Sequence, residues 1–117
     1  GKADSKPRRS QRESKSMSEL FAIQFDKDSQ TYHVSGELTL ETARVVKEDT
    51  DKRFVTATAM NIDLSKVSRA DSAGLALLVA WMRQANETDK VISFRHVPAQ
   101  MLAIANASGL DAILPIK

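Results

Sequence analysis

The chain of 117 residues contains no cysteine, so its sequence offers neither a disulfide framework nor a thiolate metal site. Its four glycines are scattered, at positions 1, 36, 74 and 109, which excludes a glycine-rich phosphate-binding loop. The longest apolar run, residues 75–82, is less than half of the roughly 20 residues that a membrane-spanning helix needs. No basic segment followed by an apolar one opens the chain as a secretory signal would. These absences predict a cytoplasmic domain without direct membrane insertion, and they indicate no cofactor and no metal.

The excess of positive charge lies entirely in the N-terminal tail. Residues 1–16 hold six basic and two acidic side chains, whereas the rest of the chain holds eleven basic and thirteen acidic ones. A segment this rich in serine and charge buries too little apolar surface to fold, so we expect it to be disordered. Gly1, ahead of Met17, indicates that the tail is a remnant of an expression vector. No aromatic residues lie among the basic ones, so we expect no nucleic-acid partner. The length of the remaining chain predicts a single domain over residues 17–117.

Hydrophobic periodicity predicts secondary structure in the order β-β-α-β-α-β-α. Four segments are typical of strands, the first two forming a hairpin: residues 20–25, 31–35, 59–67 and 91–97. Three segments have the apolar spacing or end signals of helices: Leu40–Phe54, Ser72–Asn86 and Pro98–Ser108. Gly109 would end the last helix. Strands that alternate with helices imply parallel crossovers. We therefore predict an α/β fold in which helices pack on a mixed four-stranded β-sheet with an antiparallel N-terminal hairpin.

The helix predicted from Ser72 has apolar residues on two sides. One stripe has the spacing of a core-facing helix: Leu75, Leu78, Val79 and Met82. Leu77 and Trp81 fall on nearly the opposite side of the same helix. Two interpretations stay open for this pair. A neighbouring helix or the tail buries it, or it forms an exposed patch for a partner, since tryptophan is enriched at binding hot spots.

The junction SRADSAGLALLVAWM, residues 68–82, raises the question of a nucleophilic serine at Ser72. The segment lacks the Gly-x-Ser-x-Gly pattern of a nucleophile elbow, and His33 and His96 both fall in predicted strands. Asp63 and Asp71 are near enough in sequence to meet across the turn, but no further ligand completes a metal set there. Hydrolase and transferase chemistry is therefore unsupported, and we expect a protein that is not an enzyme.

The same junction suits a helix start that displays a hydroxyl. Asp71 or Ser72 would cap the helix, and Gly74 would allow close backbone approach. A hydroxyl at a helix N-terminus lies where free N–H groups and the helix dipole stabilise an added phosphate. Lys66 and Arg69 could pair with that phosphate or with acidic groups of a partner. Helix capping alone and a phosphorylation or docking site both stay open at this point.

Two motifs resemble those of STAS domains. NIDLSKVSRADSAGLALL, residues 61–78, is similar to the family signature, in which a strand ending in Asp-Leu-Ser leads to Asp-Ser/Thr-small-Gly-Leu at a helix start. VSGEL, residues 34–38, resembles the family's turn after its second strand. The order of elements is also similar, so the likeness covers residues 17–117 and implies a STAS-type fold. It further implies that Ser72 is the critical hydroxyl and that the contact surface at the helix start comprises Asp71, Ser72, Ala73, Gly74 and Leu75.

Two branches of the family imply different partners. The amino-acid sequence of these motifs is more similar to that of the small, MlaB-like STAS subunit of the Mla phospholipid ABC transporter. That likeness implies a non-enzymatic subunit that binds the cytoplasmic ATPase and, through it, the permease. Such a subunit is peripheral to the inner membrane, and the transporter helps to maintain outer-membrane lipid asymmetry. The alternative is an anti-sigma factor antagonist, which implies an anti-sigma factor/kinase as partner and phosphorylation of Ser72. Ser72 and Ala73 stand where the transporter subunit commonly has threonine and glycine, a departure that keeps the hydroxyl.

Overall fold

A computed structural model describes residues 19–117, and the tail expected to be disordered, residues 1–16, lies outside the described residues. The elements are β1 (Phe21–Asp26), β2 (Thr31–Leu38), α1 (Ala43–Phe54), β3 (Ala59–Ala70), α2 (Ser72–Glu87), β4 (Val91–Arg95), α3 (Ala99–Ser108) and a 3-10 helix (Leu110–Ala112). This order confirms the alternation predicted from the sequence. Among the described helices, none combines the length and apolar character needed to span a membrane.

The four strands form one sheet in the order β1-β2-β3-β4. β1 is antiparallel to β2, whereas β2 with β3 and β3 with β4 are parallel, which confirms the mixed sheet with its N-terminal hairpin. The C-terminal tail extends the sheet beyond β4. The Phe94 amide donates to the Pro115 carbonyl oxygen at 2.9 Å, and the Lys117 amide donates to the Phe94 carbonyl oxygen at 2.8 Å.

Alternation along β3 decides which face of the sheet is covered. Met60, Ile62 and Leu64 are buried in the core, whereas Asn61 and Asp63 point to the other face and are only half-buried. All three helices supply buried residues to this same core. The face that carries Asp63 is therefore the open face of the sheet.

Helix α1 begins three residues later than the sequence predicted. Residues 39–42 form a turn, in which the amides of Thr42 and Ala43 both donate to the Thr39 carbonyl oxygen. The Thr42 hydroxyl closes the turn, because it donates to the Glu37 carbonyl oxygen at 2.8 Å and accepts from the Thr39 amide at 3.0 Å. These local bonds compete with the helix that the periodicity indicated.

The proposed exposed patch of Leu77 and Trp81 is wrong. Leu77 is 4% exposed and Trp81 is fully buried. The indole Nε1 of Trp81 donates to the hydroxyl of Thr50 on α1 at 2.8 Å, and its ring lies 6.0 Å from that of Phe54. The other interpretation, burial by a neighbouring helix, is the one observed. The physical reason is that α2 lies between α1 and α3, so that more than one of its sides is covered.

Candidate partner-docking site

Ser72 is the first residue of α2, and its side chain is exposed. Its hydroxyl makes no hydrogen bond to any part of the chain that the structure describes. The amides of Ala73, Gly74 and Leu75 in the first turn of α2 are already bonded to Asp71, so the hydroxyl is the polar group that this helix end offers. It is therefore available both as a donor and as an acceptor to a group that approaches from outside.

Asp71 is the residue that caps α2, one of the two candidates from the sequence. Its backbone is extended, and its Oδ1 accepts from the Ala73 amide at 2.8 Å. A cap of this kind contributes about 1 kcal/mol. The second oxygen, Oδ2, accepts from the Leu40 amide at 3.2 Å, in the loop that follows β2. Asp71 therefore fixes the start of α2 relative to the neighbouring loop, and its carboxylate is already occupied.

The close backbone approach predicted for Gly74 is confirmed. A Cβ at this position would lie 2.4 Å from the carbonyl oxygen of Leu38, at the end of β2. The amide of Asp71 donates to that same oxygen at 3.3 Å. Leu38 is the last residue of the VSGEL motif, so the two motifs that carried the family resemblance pack directly on each other. Together they hold the Ser72 hydroxyl at one edge of the domain.

The five residues expected to form the contact surface divide by exposure. Ser72 is exposed, and Asp71 and Ala73 are half-buried. Gly74 is buried under Leu38, and Leu75 is only 3% exposed. A partner can therefore reach only part of the five-residue motif, mainly Ser72. The buried residues Gly74 and Leu75 hold that part in place.

Two grooves run beside α2. The α1–α2 groove has a volume of about 240 Å³ and is lined in part by Ala73 and Arg44. The α2–α3 groove has a volume of about 500 Å³, and Ser72 is one of its lining residues. Four apolar side chains form much of its wall: Leu75, Val79, Ile104 and Leu110. The exposed hydroxyl thus stands at one end of an apolar groove.

Lys66 and Arg69 both lie on β3, which continues to Ala70, three residues beyond the strand predicted from the sequence. Both are exposed, and within residues 19–117 neither makes an ion pair. Arg69 lies opposite Glu37 in the parallel register between β2 and β3. Both cations therefore remain available for pairing, and Arg69 is the nearer of the two to Ser72 along the chain.

The open face carries a cluster that sequence reasoning missed, the Asp63 cluster, formed by His33, Asp63, Ser65 and His96. The Nδ1 atoms of His33 and His96 lie 2.9 and 2.8 Å from separate oxygens of the Asp63 carboxylate. The amide and hydroxyl of Ser65 donate to the same carboxylate at 3.2 and 3.0 Å. Burial alone would raise the pKa of Asp63, but hydrogen bonds from His96, Ser65 and His33 lower this pKa to about 2. Asp63 is thus ionised at neutral pH, and both Nδ1 atoms carry a hydrogen.

The Asp63 cluster is a structural link between strands. His33 lies directly opposite Asp63 in the register of β2 and β3, and His96 follows β4 with a left-handed φ of 57°. Among the described residues, no serine or threonine hydroxyl is hydrogen-bonded to either imidazole, so no nucleophile–base pair forms. Only the β-strand register, which the sequence does not state, brings these side chains together.

The suggested meeting of Asp63 and Asp71 is wrong. Asp63 lies opposite His33 and Ala70 opposite Leu38, five residues further along β2, which corresponds to roughly 16 Å. In the described part of the chain, no group of three or more histidine, cysteine, aspartate or glutamate side chains could hold a metal ion. The arrangement at Ser72 can bind a surface or accept a group, and the carboxylate beside the hydroxyl, that of Asp71, already accepts from the Ala73 and Leu40 amides.

A family model described as "Mlab, STAS domain" matches residues 21–115. An anti-sigma factor antagonist from Mycobacterium paratuberculosis has a similar structure, with 21% identity, 82% of this chain and 84% of that one covered, and a TM-score of 0.68. The Bacillus cell fate determinant SpoIIAA in its phosphorylated form is also similar, with 17% identity, 83% of this chain and 88% of that one covered, and a TM-score of 0.63. RsbS from Moorella thermoacetica is similar too, with 19% identity, 82% of this chain and 84% of that one covered, and a TM-score of 0.62. No protein of curated function matches the sequence. On the family match over almost the whole described range, the chain belongs to the STAS domain family.

Proposed function

We propose that this STAS domain is a non-enzymatic regulatory and assembly subunit of a phospholipid-transporting ABC complex of the Mla type. It binds the cytoplasmic ATPase subunit through the start of α2, and through that subunit it is held at the inner membrane next to the permease. The observation that carries this proposal is the exposed Ser72 hydroxyl, which has no hydrogen bond within residues 19–117. The match of residues 21–115 to the MlaB-type STAS family supports the choice of partner.

The geometry supports binding at this edge because hydrogen bonds and packing hold the backbone that carries the Ser72 hydroxyl. The cap by Asp71 and the packing of Gly74 on Leu38 leave the first turn of α2 little freedom to move. A preorganised contact loses little entropy when a partner docks, which raises affinity without new contacts. The domain then acts by stabilising one arrangement of the ATPase, and no bond is made or broken at Ser72.

Affinity purification from solubilised membranes tests this proposal. A tagged copy of the domain should retrieve a nucleotide-binding subunit together with a permease. A Ser72→Ala copy serves as the matched control, because it lacks only the hydroxyl and should retrieve less of both. Recovery of only a soluble protein of the histidine-kinase type would overturn the transporter function.

The alternative function is an anti-sigma factor antagonist regulated by phosphorylation of Ser72. The similar structures from Mycobacterium and Bacillus are described as an antagonist and as a phosphorylated form, respectively. In this chain the hydroxyl is exposed at a helix N-terminus, where the positive end of the helix dipole would stabilise a phosphate. This function predicts that Ser72→Asp abolishes binding to an anti-sigma factor. Unchanged affinity for that partner in both Ser72→Ala and Ser72→Asp would show that Ser72 only begins the helix and takes no part in binding.

A further inference from the structure

Among the residues that the structure describes, those that line the two grooves beside α2 carry charge of one sign only. The charged ones are Arg44, Lys47 and Arg83, and none of the described lining residues is acidic. Residues 19–117 nevertheless hold thirteen acidic and eleven basic side chains, so the domain as a whole is slightly negative. The grooves are therefore a positive strip on an acidic domain.

Two of these cations are available for pairing. Arg44 and Arg83 are exposed, and in the described part of the chain neither makes an ion pair. Lys47 differs, because its Nζ lies 2.7 Å from Oδ1 of Asp51, one turn further along α1. Arginine is the side chain best suited to paired hydrogen bonds with a carboxylate. Charge complementarity thus favours an anionic partner, and carboxylates are the anionic side chains that a protein segment can place over the grooves.

The shape of the strip specifies an elongated, amphipathic occupant. The α2–α3 groove is walled by aliphatic side chains and has the size of an ordinary binding pocket, at about 500 Å³. Ala76 and Ala80 line both grooves, one helical turn apart, so the ridge between the grooves is low. A low ridge lets another backbone approach closely, and a row of side chains from a helix fits the groove on either side.

We propose that an acidic amphipathic helix of the partner protein docks along α2. Its apolar side chains enter the α2–α3 groove, and its carboxylates pair with Arg44 and Arg83 on the two sides of the ridge. This inference deepens the proposed function and rests on it. Ser72 and Arg83 line the same groove, so one partner segment contacts both.

Charge reversal tests the acidic character of the partner. Binding of the purified nucleotide-binding subunit is measured for the wild type and for Arg44→Glu, Arg83→Glu and the double variant. Each single reversal should weaken binding about ten-fold or more, and the wild-type affinity should fall as salt is added. The matched control is Lys27→Glu in the turn between β1 and β2, which lines neither groove and should leave the affinity unchanged.

The outcomes separate this inference from the proposed function. If Ser72→Ala weakens binding but the arginine reversals do not, the acidic helix is wrong and the docking function stands. If the nucleotide-binding subunit does not bind at all, the proposed function fails.

A synthetic probe tests the groove without the natural partner. Two helical peptides of about 20 residues share one leucine stripe, which is flanked by glutamate in the first and by lysine in the second. In amide NMR spectra of the domain, the glutamate peptide should shift the signals of Ala76 and Ala80, and the lysine peptide should not. Equal binding of both peptides, or shifts confined to the open face around Asp63, would overturn the proposal.

Discussion

Gly74 packs so closely on Leu38 that a Cβ at position 74 would lie 2.4 Å from the Leu38 carbonyl oxygen and 3.1 Å from the Leu38 Cβ. The obstructing atoms belong largely to the backbone, so they cannot rotate away. We expect Gly74→Ala to destabilise the domain by about 1–2 kcal/mol, because the strain outweighs the better helix propensity of alanine. Denaturant unfolding measures this difference. An unchanged midpoint would show that the two motifs are not packed as described.

Removal of the Asp71 carboxylate should loosen the start of α2. Asp71→Ala removes the bonds to the amides of Ala73 and Leu40, and we expect a loss of about 1–2 kcal/mol in the free energy of unfolding. Asp71→Asn is the matched control, since it keeps one oxygen acceptor and should lose less. Partner affinity should fall in the same order. Equal stability of Asp71→Ala and the wild type would contradict the cap.

The stability that Asp63 contributes should disappear in acid. Its pKa is about 2 in the folded protein, below the value of about 3.9 in an unfolded chain. A depressed pKa contributes stability that is complete above about pH 4 and is lost as the pH falls through 2.

Thermal unfolding of the wild type and Asp63→Asn at several pH values measures this contribution. We expect the wild type to be more stable by up to about 2 kcal/mol at pH 6, with the difference shrinking between pH 4 and pH 2. A difference that stays constant down to pH 2 would contradict ionised Asp63 as the centre of the cluster.

The single tryptophan reports directly on the α1–α2 interface. Trp81 is fully buried, and its indole nitrogen donates to Thr50. Its fluorescence should therefore show the blue-shifted maximum of a buried indole in the isolated domain. Thr50→Val should cost about 1–3 kcal/mol, because it leaves the indole N–H buried without an acceptor, whereas Thr50→Ser keeps the hydroxyl as a control. An emission maximum typical of exposed tryptophan would restore the patch that the structure excludes.

Local signals predicted the part of the fold that local chemistry determines. The alternation of strands and helices and the junction at Ser72 could be read from periodicity and end signals, and Gly109 ends α3 with a φ of 75° as expected. The burial of Leu77 and Trp81 could not be decided from the sequence. The angular position of a residue on a helix does not say how many other elements pack around that helix. The contact between His96 and Asp63 could not be predicted from the sequence either. It depends on the register of β3 and β4 and on the left-handed backbone of His96 after β4.

In the proposed function, the Ser72 hydroxyl contacts the partner and does not stabilise the fold. The dissociation constant between the domain and the purified nucleotide-binding subunit of the proposed complex tests this for the wild type and Ser72→Ala, with unfolding recorded alongside. Because the hydroxyl has no hydrogen bond within residues 19–117, the variant should unfold as the wild type does. We expect the affinity of Ser72→Ala to be at least ten-fold weaker than that of the wild type, at unchanged stability. Equal affinity of the two proteins would contradict it.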